Sequence, residues 1–162
     1  MNPHNNSCEV AIELNDITYK RRVPARESLA DFIRHTIDLT GTHVGCEHGV
    51  CGACTVRMNG MIVRSCLVLA VQADGQQIKT IEGINASGEI DDLRVAFHNN
   101  NAAQCGFCTP AMLITAAELL QSEKKPDRRR IRKFLSGNYC RCTGYQAIID
   151  AIEQVALERN GV

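Results

Sequence analysis

Nine cysteines in 162 residues constrain this chain more than any other feature. Eight of them fall into two sets of four. The first is Cys46-x4-Cys51-x2-Cys54-x11-Cys66, and the second is Cys105-x2-Cys108-x31-Cys140-x1-Cys142. The opening residues, MNPHNNSCEV, contain no apolar leader, and the twin arginine of KRRVPARESL is followed by no hydrophobic stretch. Neither segment reads as an export signal, so the expected location is the cytosol. There, a chain with this much cysteine binds metal more readily than it forms disulfides.

Charge narrows the function classes. Lys plus Arg and Asp plus Glu balance at 18 each. Zero net charge offers no long-range attraction for nucleic acid or an acidic membrane. Aromatic residues make up 4% with no Trp, too few for a base-stacking surface. No run approaches the roughly 18 apolar residues that a membrane span needs.

The C-x4-C-x2-C spacing with a distant fourth cysteine is that of plant-type 2Fe–2S ferredoxins. The loop GCEHGVCGACTV suits that use. Gly45, Gly49 and Gly52 permit tight backbone turns, and free amides can then approach the sulfurs. Zinc is the competing occupant, but it favours two C-x2-C knuckles, and Cys46-x4-Cys51 fits that pattern less well.

The second set alone suits either zinc or a cluster. Its flanks favour an anionic centre. Thr109-Pro110 follows Cys108 and Thr143-Gly144 follows Cys142, each ahead of a helical pattern. Thr109 and Thr143 are therefore expected as N-caps, with Pro110 at a first helical position. Two helix N-termini beside four thiolates would favour negative charge.

The remaining pattern divides the chain at Gly83–Gly88, into residues 1–83 and 84–162. In the first part, Val10, Ile12 and Leu14 alternate, then Ile17 and Tyr19 follow the Asn15-Asp16 turn, which predicts a hairpin. Leu29, Phe32, Ile33 and Ile37 predict a helix. TVRMNGMIVRSC predicts a second hairpin at Asn59-Gly60, and QQIKTIEGI a closing strand. The second part predicts four helices, over residues 91–99, 111–121, 127–136 and 145–157, with Gly137 capping the third. The expected fold class is α+β: a small strand-rich domain, then a helical bundle.

Other residues get plainer readings. Cys8, outside both sets, is expected to be a small buried hydrophobe. His43 and His48 flank the first loop, but a Rieske-type centre would need two His in place of two Cys, and four Cys are present. Both are expected at the surface or behind the sulfurs. Arg128, Arg129 and Arg130 in a first helical turn oppose the helix dipole, which suggests a solvated face or a contact with a partner subunit.

GCEHGVCGACTV, the SC at Cys66, QCGFCTP from Gln104, and GNYCRCTGY from Gly137 together resemble the small iron–sulfur subunits of the molybdenum hydroxylases, the xanthine dehydrogenase and aerobic carbon monoxide dehydrogenase family. The resemblance runs from residue 10 to residue 155. It implies a ferredoxin-like β-grasp domain and a four-helix domain, each holding one 2Fe–2S cluster. The implied ligands are Cys46, Cys51, Cys54 and Cys66 in one, and Cys105, Cys108, Cys140 and Cys142 in the other. It also implies a large partner carrying molybdopterin, in its cytosine dinucleotide form, and a medium partner carrying FAD. The assembly would be a heterotrimer or a dimer of heterotrimers. Electrons would pass singly from molybdenum through the helical-domain cluster and the N-terminal cluster to FAD. Gln104 and Cys142 would lie against the pterin. Ala111 stands where the family has Gly, so its methyl is expected to tighten packing there. The resemblance leaves the substrate open, because that site belongs to the large subunit. A freestanding two-cluster carrier and a zinc-stabilised interaction module are the competing readings. Copurifying subunits would separate the first, and a visible absorption spectrum the second.

Overall fold

The computed structural model describes residues 6–161. The first five residues of the opening segment therefore lie outside the description. β1 (Ser7–Leu14) and β2 (Ile17–Pro24) form the first hairpin. Its turn holds Asn15 at φ 52° and Asp16 at φ 68°, the left-handed pair that a two-residue hairpin requires. β3 (Thr55–Met58) and β4 (Met61–Arg64) form the second, turning at Asn59 (φ 48°) and Gly60 (φ 81°). β5 (Gln77–Lys79) runs parallel to β1 and antiparallel to β3, giving the mixed order β2-β1-β5-β3-β4.

α1 (Leu29–Asp31) is capped by Ser28, whose hydroxyl accepts the Asp31 amide at 3.0 Å. It continues as a wider π turn over Phe32–Thr36, in which the Ile37 amide reaches back to the Phe32 carbonyl. Leu29, Phe32 and Ile33, at i, i+3 and i+4, share one face of this segment. They bury with Val10, Ile12, Leu14, Val56 and Ile78 in the first core.

Where a longer closing strand was expected, β5 stops at Lys79 and α2 (Ile81–Ala86) begins. The Asn15 side chain explains the break, because its Oδ1 accepts the Thr80 amide at 2.9 Å and removes it from the ladder. The helix then turns Ile81 and Ile84 toward the second core. α2 thus crosses the Gly83–Gly88 boundary that the sequence suggested.

α3 (Asp91–Asn99), α4 (Thr109–Ser122), α5 (Arg128–Leu135) and α6 (Gln146–Glu158) build the helical part. α4 is buried on nearly all sides, Ala111 included, and is the axle of this core. It also packs against β3 and β4. An ion pair spans the same seam. Arg57 on β3 reaches both carboxylate oxygens of Glu89 at 2.9 and 2.7 Å, and lies 3.6 Å from Glu118 on α4. The cations at the start of α5 are held by carboxylates that offset the dipole. Arg128 pairs with Asp150 at 2.7 Å and with Glu153, and Arg130 with Glu123 at 2.8 Å. Arg129 stays exposed.

Three local expectations are corrected. Cys8 is exposed on β1 although it shares the face of Val10, Ile12 and Leu14, because it lies near the start of the strand, where the first core has ended. Gly137 does not cap α5 through a left-handed turn. It is a close-approach glycine, and a Cβ there would sit 2.6 Å from Arg64 Nη2. Neither Thr109 nor Thr143 is an N-cap. Cys108 caps α4, with Thr109 as its first residue. Gly144 (φ 61°) and Tyr145 (φ 68°) insert a left-handed turn between Thr143 and α6.

Candidate metal centres

The first four cysteines converge at one end of the sheet. Gly49 (φ 82°) and Gly52 (φ 71°) turn the loop inward. The Cys51 amide then donates to Cys46 Sγ at 3.4 Å, the Ala53 amide to Cys51 Sγ at 3.5 Å, and the Cys66 amide to Cys54 Sγ at 3.5 Å. Amides that a helix or strand would commit to its own ladder are aimed at sulfur instead.

The second four meet where α4 begins and the α5–α6 connection returns. Cys142 Sγ lies 3.5 Å from Cys105 Sγ, and Cys140 Sγ lies 3.2 Å from Thr143 Oγ1. Tyr145 braces this loop: its hydroxyl accepts the Cys140 amide at 3.0 Å, and its own amide donates to Thr143 Oγ1 at 3.1 Å. Cys105 and Cys142 are exposed, so this site opens to the surface.

Within each set the strongest sulfur–sulfur interactions join Cys46 with Cys51 and Cys54 with Cys66, then Cys105 with Cys142 and Cys108 with Cys140, with weaker repulsion across the pairs. Among the described residues, no three His, Cys, Asp or Glu close on a single ion position. Two pairs of thiolates are what a two-iron rhomb asks for, since each iron takes two.

Thiol acidity follows the same pairing. The Cys51 amide and then the backbone at His48 lower Cys46 to about 6, while burial pushes Cys51 up. Burial, then Cys54, pushes Cys66 up to about 11. In the second site burial, then Cys140, pushes Cys108 up to about 12. Burial also opposes the Cys140 thiolate, but the Thr143 hydroxyl and nearby amides outweigh it and lower that thiol. The Phe107 amide lowers Cys105, and the Cys105 thiol raises Cys142. Three of the pairs thus favour one thiolate beside one thiol, an arrangement that a bound cation relieves.

Comparison with known proteins matches this geometry. Residues 12–80 match the 2Fe-2S iron-sulfur cluster binding domain, and residues 80–153 match the [2Fe-2S] binding domain. The gamma subunit of caffeine dehydrogenase from Pseudomonas sp. (strain CBB1) is 49% identical over 150 residues, covering 91% of this chain and 90% of the relative. The small subunit of nicotine 6-hydroxylase from Paenarthrobacter nicotinovorans is 49% identical over 144 residues, covering 89% and 87%. The crystal structure of quinoline 2-oxidoreductase from Pseudomonas putida 86 superposes with a TM-score of 0.89 at 43% identity, covering 97% of this chain and 99% of the matched one. The chain belongs to the family of small iron–sulfur subunits of the molybdenum hydroxylases.

In this iron–sulfur subunit the two sulfur sites are neighbours. His43, on the first loop, stacks on Phe107 with ring centres 4.7 Å apart, and its Nδ1 contacts the Phe107 carbonyl at 2.7 Å. His48 bonds the Cys46 carbonyl through Nδ1. Both histidines bond loop backbone; His48 is exposed and His43 is half-buried. Gln104 is exposed beside Cys105. Between the two loops lies a polar joint that sequence reasoning missed, built on Arg64 and Asn138. Asn138 is 2% exposed and donates to the Gly52 carbonyl at 3.2 Å and to Thr55 Oγ1 at 3.4 Å. The one signal that could have found it is its place immediately before Tyr139-Cys140 in the motif.

Proposed function

We propose that this subunit accepts electrons from a molybdopterin centre on a large partner and passes them singly, through two 2Fe–2S clusters, to FAD on a medium partner. The proposed ligands are Cys105, Cys108, Cys140 and Cys142 for the centre facing molybdenum, and Cys46, Cys51, Cys54 and Cys66 for the centre facing FAD. Each cluster supplies a one-electron carrier. The observation that carries the reading is the arrangement of eight sulfurs as two adjacent sets of two pairs, with amides aimed at the sulfurs. Residues 1–83 serve as the ferredoxin-like domain and residues 84–162 as the helical one.

The exposed pair Cys105 and Cys142, with Gln104 beside them, supports the order. Gln104 offers an exposed side-chain amide to a polar cofactor, and Cys142 is exposed as well. Exposed Phe107 and Tyr139 add apolar surface there for the large subunit to cover. The assembly would be a heterotrimer or its dimer, working in the cytoplasm. Among the described residues no helix is long and apolar enough to cross a membrane.

Rapid mixing of the assembled complex with substrate tests the order. Gln104→Ala is expected to slow reduction of both clusters while leaving both assembled. Cys51→Ala is expected to leave the helical-domain cluster reducible but to stop transfer to FAD. FAD reduction without the helical-domain signal in the Cys51→Ala complex would reverse the order.

A further inference from the structure

We propose that Arg64 is a positioning residue shared by both clusters: its guanidinium holds the two sulfur loops together, and its charge favours the reduced form of each. The inference rests on the cluster reading above. Arg64 ends β4, two residues before Cys66. Its Nη1 donates to Oγ1 of Thr55, the residue that follows Cys54. Its Nη2 donates to the Gly137 carbonyl at 2.7 Å and lies 3.4 Å from Asn138 Oδ1, just ahead of Cys140. One side chain therefore touches the ligand-bearing segments of both sites.

The packing leaves no room for a substitute arrangement. A Cβ on Gly52 would stand 2.2 Å from the Gly137 carbonyl, the same oxygen that Arg64 engages. Asn138 closes the joint from the other side, with Thr115 Oγ1 at 3.1 Å from its Oδ1. All of these partners are neutral.

Among the described residues, no carboxylate forms an ion pair with Arg64. The contrast with Arg57, Arg128, Arg130 and Arg159 is informative, because each of those is matched by acid. A partly buried cation without a counter-charge favours negative charge nearby, and the segments that Arg64 touches lead directly to Cys54 and Cys140. Reduction adds one electron, and so one negative charge, to a cluster and its thiolates. The Arg64 charge, in a setting of lower dielectric than water, stabilises that state at either site. No proton moves at Arg64 in this scheme. A residue with only a packing role would disturb the sites but would not shift both potentials in one direction.

Potentiometric titration of the full complex, followed by EPR, reads both midpoints in one sample. In Arg64→Gln both midpoints are expected to fall relative to the unaltered protein. Arg64→Lys, which keeps the charge, is expected to hold both closer to their starting values. Asn138→Asp sets a carboxylate against Nη2 and is expected to lower both as well, which supplies the reading if Arg64→Gln does not take up iron. Midpoints that stay unchanged, or a shift confined to one cluster, overturn the proposal. Iron well below about four atoms per chain in the unaltered protein would instead remove the cluster reading, and this inference with it.

Discussion

The carbonyl oxygen of Cys51 accepts the amide hydrogen of Tyr139 at 2.8 Å. One residue is a proposed ligand in the first site, and the other precedes Cys140 in the second. Residues 86 positions apart, Gly52 and Asn138, meet directly beside that bond. The two sulfur loops are therefore joined by one backbone hydrogen bond and by the Asn138 side chain.

Gly52→Ala is expected to break this joint. The glycine sits at φ 71°, and a methyl would stand 2.2 Å from the Gly137 carbonyl, which is fixed backbone. Left-handed strain and overlap together should destabilise the fold by ~2 kcal/mol or more. Denaturant unfolding of the variant reads the loss, and a midpoint equal to that of the unaltered protein would contradict the close approach.

Arg57→Met is expected to loosen the seam between sheet and helices. Arg57 is 11% exposed and Glu89 29%, so removing the cation strands a half-buried carboxylate beside Glu118. A loss of about 2–3 kcal/mol follows, short of the full cost of a deeply buried pair. Met at both Arg57 and Glu89 should recover part of it, which the same unfolding measurement would show.

Thiol reactivity without iron should follow the pairing. Cys46 is lowered from 9.0 to about 6, so its contribution to stability is present in full above pH 9 and is lost as pH falls through about 6. Cys108 is raised from 9.0 to about 12, so its contribution is present in full below pH 9 and is lost as pH rises through about 12. Near pH 7, iodoacetamide should mark Cys46 well before Cys66 or Cys108 in the cluster-free chain, as mass mapping can show. Equal labelling of the three would contradict it.

Much of this was legible because the constraints are local. Two-residue turns announced both hairpins, and 3.6-residue periodicity announced the helices α3 to α6. Short cysteine spacings announced the sulfur loops. What was illegible depends on distant contacts. Nothing near QQIKTIEGI says that Asn15 will take the Thr80 amide and end the strand at Lys79. Nothing in VRSC says that Arg64 will meet Gly137, 73 residues away. Cys8 was misplaced because alternation gives the face it shares with Val10, Ile12 and Leu14, but not how far along that face the first core extends. The Thr143 cap failed because Tyr145 adopts a left-handed conformation that its residue type does not suggest.

Iron stoichiometry joined to EPR spin counting tests the central claim most directly. The purified complex, fully reduced with dithionite, should contain about four Fe per copy of this chain. It should also show two distinguishable signals that integrate to about two spins, since each reduced 2Fe–2S centre contributes one. Cys8→Ala should leave both values unchanged, because Cys8 belongs to neither set of sulfurs. Stoichiometric zinc with negligible iron, or one signal integrating to a single spin, would contradict the account.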